Sequence, residues 1–253
     1  MPLLPTMPKI RADQRLFDLG LADSRTRAQA LILSGNVFAE DRRIDKAGQL
    51  IADNAILSVK GRDHPWVSRG GVKLAHGLTH FGWDVTGAIA MDVGSSTGGF
   101  TDVLLTSGAA KVYAVDSGTN QLAWRLRQDS RVVVHEQTSA RILTEAHIPE
   151  PIDLIVCDAS FIGLAKVLER PLTFAASSAR LMALIKPQFE VGREHVGKGG
   201  VVRDPALHAS ACADAETWIT AQGWVVAGII ESPIKGPEGN VEFLVAANRT
   251  CCR

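Results

Sequence analysis

Cysteine is scarce in this sequence: four among 253 residues, Cys157, Cys212, Cys251 and Cys252, with no CxxC spacing and no partnering histidines. Neither a disulfide framework nor a zinc site is expected, and a reducing cytoplasm is the expected compartment. Long apolar runs are missing too. The nearest, Leu172 to Ile185, is interrupted by Ser177, Ser178 and Arg180, whereas a membrane helix requires about 18 or more apolar residues. The start, Met1-Pro-Leu-Leu-Pro-Thr-Met-Pro8, has early prolines and no apolar stretch long enough for a secretory signal. Net charge is absent: 27 Lys+Arg balance 27 Asp+Glu, so total charge points to no polyanionic partner. Internal repeats and low-complexity tracts are absent as well.

What is present describes an ordinary globular chain, 46% hydrophobic and 21% charged, long enough for one substantial domain and a small one. Charge is unevenly placed. Residues 1–73 carry 12 Lys+Arg against 8 Asp+Glu, and the remainder 15 against 19. The excess is modest, and a solvated charged face would account for it equally well.

Residues 11–60 read as a compact unit. A short helix is expected over Arg11 to Leu21, then Ser24 as N-cap of a helix from Arg25 to Leu33 that Gly35 ends. Val37 to Ala39 and Ala55 to Val59 read as strands flanking a polar turn at Asp41-Arg42-Arg43. Residues 61–67, polar and carrying Gly61 and Pro65, read as a linker. Over 68–249, strands alternate with helices. Strands are expected at Ala88–Val93, Lys111–Val115, Arg131–His135, Ile152–Cys157, Leu181–Ile185, Trp224–Ile230 and Val241–Ala246. Helices are expected at Phe100–Ser107, Gln121–Arg127, Gly163–Ala176 and Leu207–Gln222. This alternation predicts a doubly wound α/β sheet, Rossmann-like, beside a small α+β N-terminal unit.

The sharpest local motif is Met91-Asp-Val-Gly-Ser-Ser-Thr-Gly-Gly-Phe100, a glycine-rich turn between a strand and a helix. Downstream, Val112-Tyr-Ala-Val-Asp116 ends a second strand in a carboxylate, the usual partner of ribose hydroxyls. The turn departs from GxGxxG, and Asp92 beside it would repel a pyrophosphate. An acid there suits the sulfonium and amino groups of S-adenosylmethionine. The candidate cofactor residues are therefore Asp92, Gly94, Ser95, Ser96, Thr97, Gly98, Gly99, Phe100 and Asp116. Asp158 and Lys186 close two further strands, where the crevice of such a sheet lies, and Glu242 is a charge inside an apolar run. In the N-terminal unit, Arg25, Arg27, Arg42, Arg43 and Lys46 could make a basic face for phosphates. Glu40, Asp41 and Asp45 among them fit a neutral solvated surface as well.

Several blocks in order resemble the TlyA-type ribosomal RNA methyltransferases, historically labelled haemolysins, from about Arg11 to Arg249. Gly20-Leu-Ala-Asp-Ser-Arg25 and Ala30-Leu-Ile-Leu-Ser-Gly-Asn-Val37 resemble the alpha-L RNA-binding motif of ribosomal protein S four. Val67-Ser-Arg-Gly-Gly-Val-Lys-Leu74, the Asp92 to Phe100 turn, Cys157-Asp-Ala-Ser-Phe-Ile162 and Ile185-Lys-Pro-Gln-Phe-Glu190 resemble the FtsJ-type catalytic half. So do Gly197-Lys-Gly-Gly-Val-Val-Arg203 and Ser232-Pro-Ile-Lys-Gly-Pro-Glu-Gly-Asn-Val-Glu-Phe243. The chain departs from its relatives at Gln137 and Ser139, where Arg and Asn are usual, and carries Pro65 in the linker.

The resemblance implies methylation of a cytidine 2′-hydroxyl in ribosomal RNA, in the large subunit and in some members also the small. It implies a Lys–Asp–Lys–Glu tetrad at Lys73, Asp158, Lys186 and Glu242. Lys186 would be the base, oriented with Lys73 by the two carboxylates, with Asp158 near the cofactor. RNA contacts are then expected from Arg69 and the N-terminal unit, and methylating one nucleotide of structured RNA calls for flipping it from its stack; Phe161 and Phe189 are candidates for stacking on it, although core packing is the expected role of each taken singly. No metal and no membrane are expected, and a monomer is favoured. A non-catalytic RNA binder would not need the four tetrad residues together, a pore-former would need a membrane-inserting segment, and a small-molecule methyltransferase would not need residues 11–60.

Overall fold

The computed structural model describes residues 8–22, 24–40, 42–59 and 64–249. Asp41 of the expected turn, residue 60 of the expected N-terminal unit, residues 61–63 of the expected linker, and Cys251 and Cys252 lie outside them. The N-terminal part runs β1 (Lys9–Arg11), α1 (Ala12–Asp18), α2 (Arg25–Leu33), β2 (Val37–Ala39), β3 (Arg42–Arg43), β4 (Leu50–Ala52) and β5 (Leu57–Val59). Ser24 caps α2 as expected, its hydroxyl accepting the Arg27 N–H at 3.1 Å. Helix α1 is shorter than the sequence suggested. Strands β1, β3 and β4 were not anticipated: at two or three residues each, they show too few alternations to register as a period-two pattern. Ala12, Leu16, Ala28 and Ile32 pack with Val37, Ile44, Ile51 and Leu57 in a core of their own. Within it the fully buried Asp13 collects Arg11, Arg25 and Gln29, tying α1 to α2. The Arg11 guanidinium holds the Asp13 carboxyl well below the usual carboxylate range.

The second part runs α3 (Gly70–His80), β6 (Ile89–Val93), α4 (Gly99–Thr106), β7 (Lys111–Val115), α5 (Trp124–Arg127), β8 (Val132–His135) and β9 (Ile152–Cys157). It continues with α6 (Leu164–Leu168), β10 (Ala175–Ile185), α7 (Pro187–Glu190), α8 (Pro205–Ala221), β11 (Trp224–Glu231) and β12 (Phe243–Arg249). The seven strands form one sheet in the order β11-β12-β10-β9-β6-β7-β8. Five consecutive neighbours, β10 through β8, are parallel, and β12 alone runs antiparallel to both its neighbours. One apolar cluster covers each face of the sheet, as buried central strands require.

Two departures from the sequence reading have clear causes. The expected helix over Gly163–Ala176 breaks into α6, a 3-10 turn at Pro171–Phe174 and the start of β10, because Pro171 lacks the N–H that an unbroken helix would use. Helix α3 was missed altogether. It holds Gly70, Gly71 and Gly77 among eleven residues and has no side-chain cap, so the local signals oppose a helix. Packing decides instead: a Cβ on Gly77 would meet Met182 Sδ at 2.5 Å, so glycine lets α3 lie close on the sheet.

The strand order reverses between β6 and β9, so the chain leaves these neighbours in opposite directions and opens a crevice at their carboxyl ends. The segment before α3 is moored nearby. The buried Asp102 of α4 accepts the Val67 N–H at 2.8 Å and pairs with Arg125. Replacing Asp102 by alanine should lower the unfolding free energy by about 1–3 kcal/mol, because the Val67 amide is left buried and unpaired. Urea denaturation of Asp102→Ala against the parent chain checks this, and an unchanged midpoint would show that the mooring is dispensable.

Candidate active site

The turn after β6 is shaped by contact with the strand beside it. Gly94 has φ +79°, and a Cβ there would stand 2.8 Å from the Ala159 Cα, so any larger residue would push β6 and β9 apart. The Gly94 and Ser95 N–H groups bond the Val115 carbonyl at 2.9 and 3.1 Å. Asp116, directly after β7, accepts from Ser96 N–H at 2.8 Å and Gly118 N–H at 2.6 Å, which fixes both sides of the opening. Gly98 turns the other way and packs against Leu122 and Leu126, outside both cavities described below.

Asp92 is fully buried on β6. One oxygen accepts the Thr101 N–H at 2.9 Å and hydroxyl at 2.7 Å; the other, Oδ1, has no hydrogen-bond partner although the residue borders the cavity. Burial pushes its carboxyl up to about 7, with the neighbouring Asp158 charge adding to the effect and the Thr101 hydrogen bonds opposing it.

Two cavities meet at Gly94, Ser96, Asp158 and Ser160. The larger, about 530 Å³, extends past Asp116 toward Arg141 and Phe161. The smaller, about 290 Å³, is bordered by Asp92, Ser95, Thr97, Gly99 and Phe100, and contains Arg69, Lys73, Lys186 and Lys235. Phe100 borders it while also belonging to the core.

At their junction the four charges expected from the resemblance converge. Lys73 Nζ lies 2.6 Å from Glu242 Oε2 and 3.6 Å from Asp158 Oδ2; Lys186 Nζ lies 2.6 Å from Asp158 Oδ1. Lys186 also donates to Ser160 Oγ at 2.8 Å and to the Asp158 carbonyl at 3.2 Å. Lys73, Lys186 and Glu242 are buried, and Asp158 faces the opening with 20% of its side chain exposed. Each group is delivered by a different element. Asp158 and Lys186 follow β9 and β10 at the carboxyl edge. Lys73 comes from the first turn of α3. Glu242 precedes β12, which runs backwards and therefore begins at the edge where its neighbours end, with Phe243 opposite Ile185.

Ser160 and Lys235 were not singled out in the sequence, although both fall inside the quoted family blocks. Their signal was adjacency alone: Ser160 stands two residues after Asp158, and Lys235 seven before Glu242. Arg69 is exposed at the start of α3 and lines the smaller cavity. The remaining candidate RNA contacts are away from both cavities. All four are exposed, with Arg25 paired to Asp13 and Arg43 to Asp45 at 3.2 and 3.0 Å. Phe161 is 90% exposed at φ +67°, with its ring 5.4 Å from Phe189. A bulky residue in the left-handed region is strained. No helix of the described residues is long and apolar enough to cross a membrane.

The position of Asp92 predicts a pH effect. Its carboxyl titrates near 4 when unfolded but at about 7 when folded, so stability is lost as pH rises through that window. Asp92→Asn should therefore gain stability relative to the parent chain as pH rises from about 4 to about 7, in comparisons of thermal midpoints. A constant difference across that range would show that Asp92 is ionised throughout.

Residues 66–249 match the FtsJ-like methyltransferase family. Among related proteins, the 16S/23S rRNA (cytidine-2′-O)-methyltransferase TlyA of Mycobacterium tuberculosis is 44% identical over 238 residues, covering 94% of this chain and 89% of its own. Hemolysin A of Brachyspira hyodysenteriae is 39% identical, covering 93% and 98%. A solved structure from Streptococcus thermophilus, described provisionally as a haemolysin, shares 40% identity with a TM-score of 0.74 and covers 97% of this chain and 90% of its own. With the sheet, the glycine turn and the four converging charges, these matches establish that the chain belongs to the FtsJ-like methyltransferase family, in its TlyA branch.

Proposed function

We propose that this protein transfers a methyl group from S-adenosylmethionine to the 2′-hydroxyl of a cytidine in ribosomal RNA, with the large subunit as its substrate and the small subunit as a second candidate. The observation that carries this reading is the chain Lys186–Asp158–Lys73–Glu242 at the junction of the two cavities. The name of the mycobacterial relative supplies the substrate. On the same reading the expected units are 11–60 for RNA binding, 61–67 as linker and 68–249 for catalysis, acting in the cytoplasm as a monomer.

The residues present fit the cofactor. The unpaired Asp92 Oδ1 suits a cationic group, the Gly94 turn admits close approach to the backbone, and Asp116 stands where ribose hydroxyls would be held. When bound, S-adenosylmethionine supplies an electrophilic methyl group on a positively charged sulfur. The protein supplies placement and a proton acceptor. Lys186 Nζ is the group that takes the proton of the ribose 2′-hydroxyl. Its 3.2 Å contact with the Asp158 carbonyl is the longest of its three and the one most readily exchanged for the incoming hydroxyl. Asp158 orients Lys186 from one oxygen and faces Lys73 from the other, and Glu242 anchors Lys73. Phe161, exposed and held beside the larger cavity, is placed to stack on the displaced base.

Lys186→Ala should reduce methyl transfer by about 100-fold or more, the scale of a lost general base, with cofactor affinity nearly unchanged. Tritiated methyl transfer to separately purified large and small subunits lacking the modification measures both activity and substrate breadth. Near-normal turnover by Lys186→Ala would remove Lys186 as the base, and no ribose label with the parent enzyme would overturn the reading. Glu242→Ala should cost about 3–5 kcal/mol of stability by leaving the buried Lys73 charge without its close partner. Denaturation curves check this against Lys73→Met/Glu242→Leu, which removes both charges and should recover much of the loss.

A further inference from the structure

A third cavity, about 470 Å³, lies where the N-terminal part meets the methyltransferase sheet. Helix α1 contributes Arg15 and Phe17 together with Asp18, whose carboxylate accepts from Gln14 Nε2 at 2.7 Å, and the opposite wall is the segment from Asn120 to Arg127. The two parts touch directly beside it: a Cβ on Gly20 would stand 2.7 Å from Ala123 Cβ.

Four observations give this cleft a chemistry. Trp124, the first residue of α5, is 52% exposed and lines it. Arg15 makes no ion pair among the described residues, and its Nε is buried without a hydrogen-bond partner. Arg127 is committed elsewhere, to Glu136 at 2.7 Å. Finally, the wall is held in place: the Glu136 carboxylate also accepts the Asn120, Gln121 and Leu122 N–H groups at 2.8–3.1 Å. A purely apolar ligand would leave Arg15 unpaired, and a simple anion would leave the indole unused. A nucleotide satisfies both, with its base on the aromatic face and its phosphate on the guanidinium.

We propose that this cleft is a second nucleotide site, separate from the catalytic one, which receives an unpaired nucleotide of the RNA substrate with its base against Trp124 and its phosphate at Arg15. The inference rests on the reading of the protein as an RNA methyltransferase. It adds a site at which both parts of the chain hold the same RNA, adjoining the larger of the two cavities where methyl transfer is placed, with Gln121 bordering both.

The test is the affinity of the full chain for purified large ribosomal subunits lacking the modification, measured across a salt series. Trp124→Ala should weaken binding about tenfold, within the range for losing one stacked base, and Trp124→Phe should restore most of it. Arg15→Gln should weaken binding and reduce the slope of log affinity against log salt by about one, as loss of one phosphate contact requires. S-adenosylmethionine affinity and thermal midpoint, measured in parallel, should stay at parent values. Parent-like binding by Trp124→Ala overturns the proposal. A loss of affinity in Arg15→Gln with an unchanged salt slope also overturns it and points to a ribosomal protein as the occupant. Failure of the parent chain to bind or methylate either subunit overturns the RNA methyltransferase reading, and this site with it.

Discussion

Two ammonium groups and two carboxylates stand together in a largely buried cleft, and the arrangement around them is organised by that fact. Removing such charges from water costs several kcal/mol per ion unless partners compensate. Asp158 makes the compensation possible by facing both lysines, at 2.6 Å and 3.6 Å, while Glu242 takes the inner position against Lys73. The cluster is balanced at two positive and two negative charges, and its single partly exposed member lies at the opening. A charge cluster so placed is expensive for stability and useful for chemistry, because it can hold a proton acceptor next to a reacting hydroxyl without bulk water intervening.

The sheet explains how four residues so distant in sequence converge. Parallel strands bring their carboxyl ends to one edge, which accounts for Asp158 and Lys186 and for the Gly94 turn. An acid placed before a parallel strand would lie at the opposite edge. Glu242 reaches the cleft because β12 is antiparallel, so its first residue is level with the end of β10. Lys73 arrives from α3, which the small residues at Gly70, Gly71 and Gly77 allow to lie close to its neighbours.

Much of this was legible in the sequence because the central strands are short apolar runs ended by polar residues. Lys111–Val115 and Ile152–Cys157 begin and end where the pattern placed them, and Asp116, Asp158 and Lys186 follow strands as anticipated. The helix that carries Lys73 was not legible. Three glycines in eleven residues give an unfavourable local propensity, and only contact with Trp66, Met182 and the α4 turn makes the helix favourable. Pairing was likewise beyond local pattern. Arg25 read as a candidate phosphate contact, yet it serves the buried Asp13; Arg15, which drew no notice, has no counterion among the described residues at the junction of the two parts.

The reversed direction of β12 also sets an order of events during synthesis. Lys73 leaves the ribosome 169 residues ahead of its close counterion, Glu242. Until that strand emerges and inserts between β10 and β11, the nascent chain has an unbalanced cleft and a sheet with two unjoined edges. Charge neutrality and the joining of β11 to the rest of the sheet are thus achieved in a single step, so the cleft becomes competent only once the strand that follows Glu242 is in place.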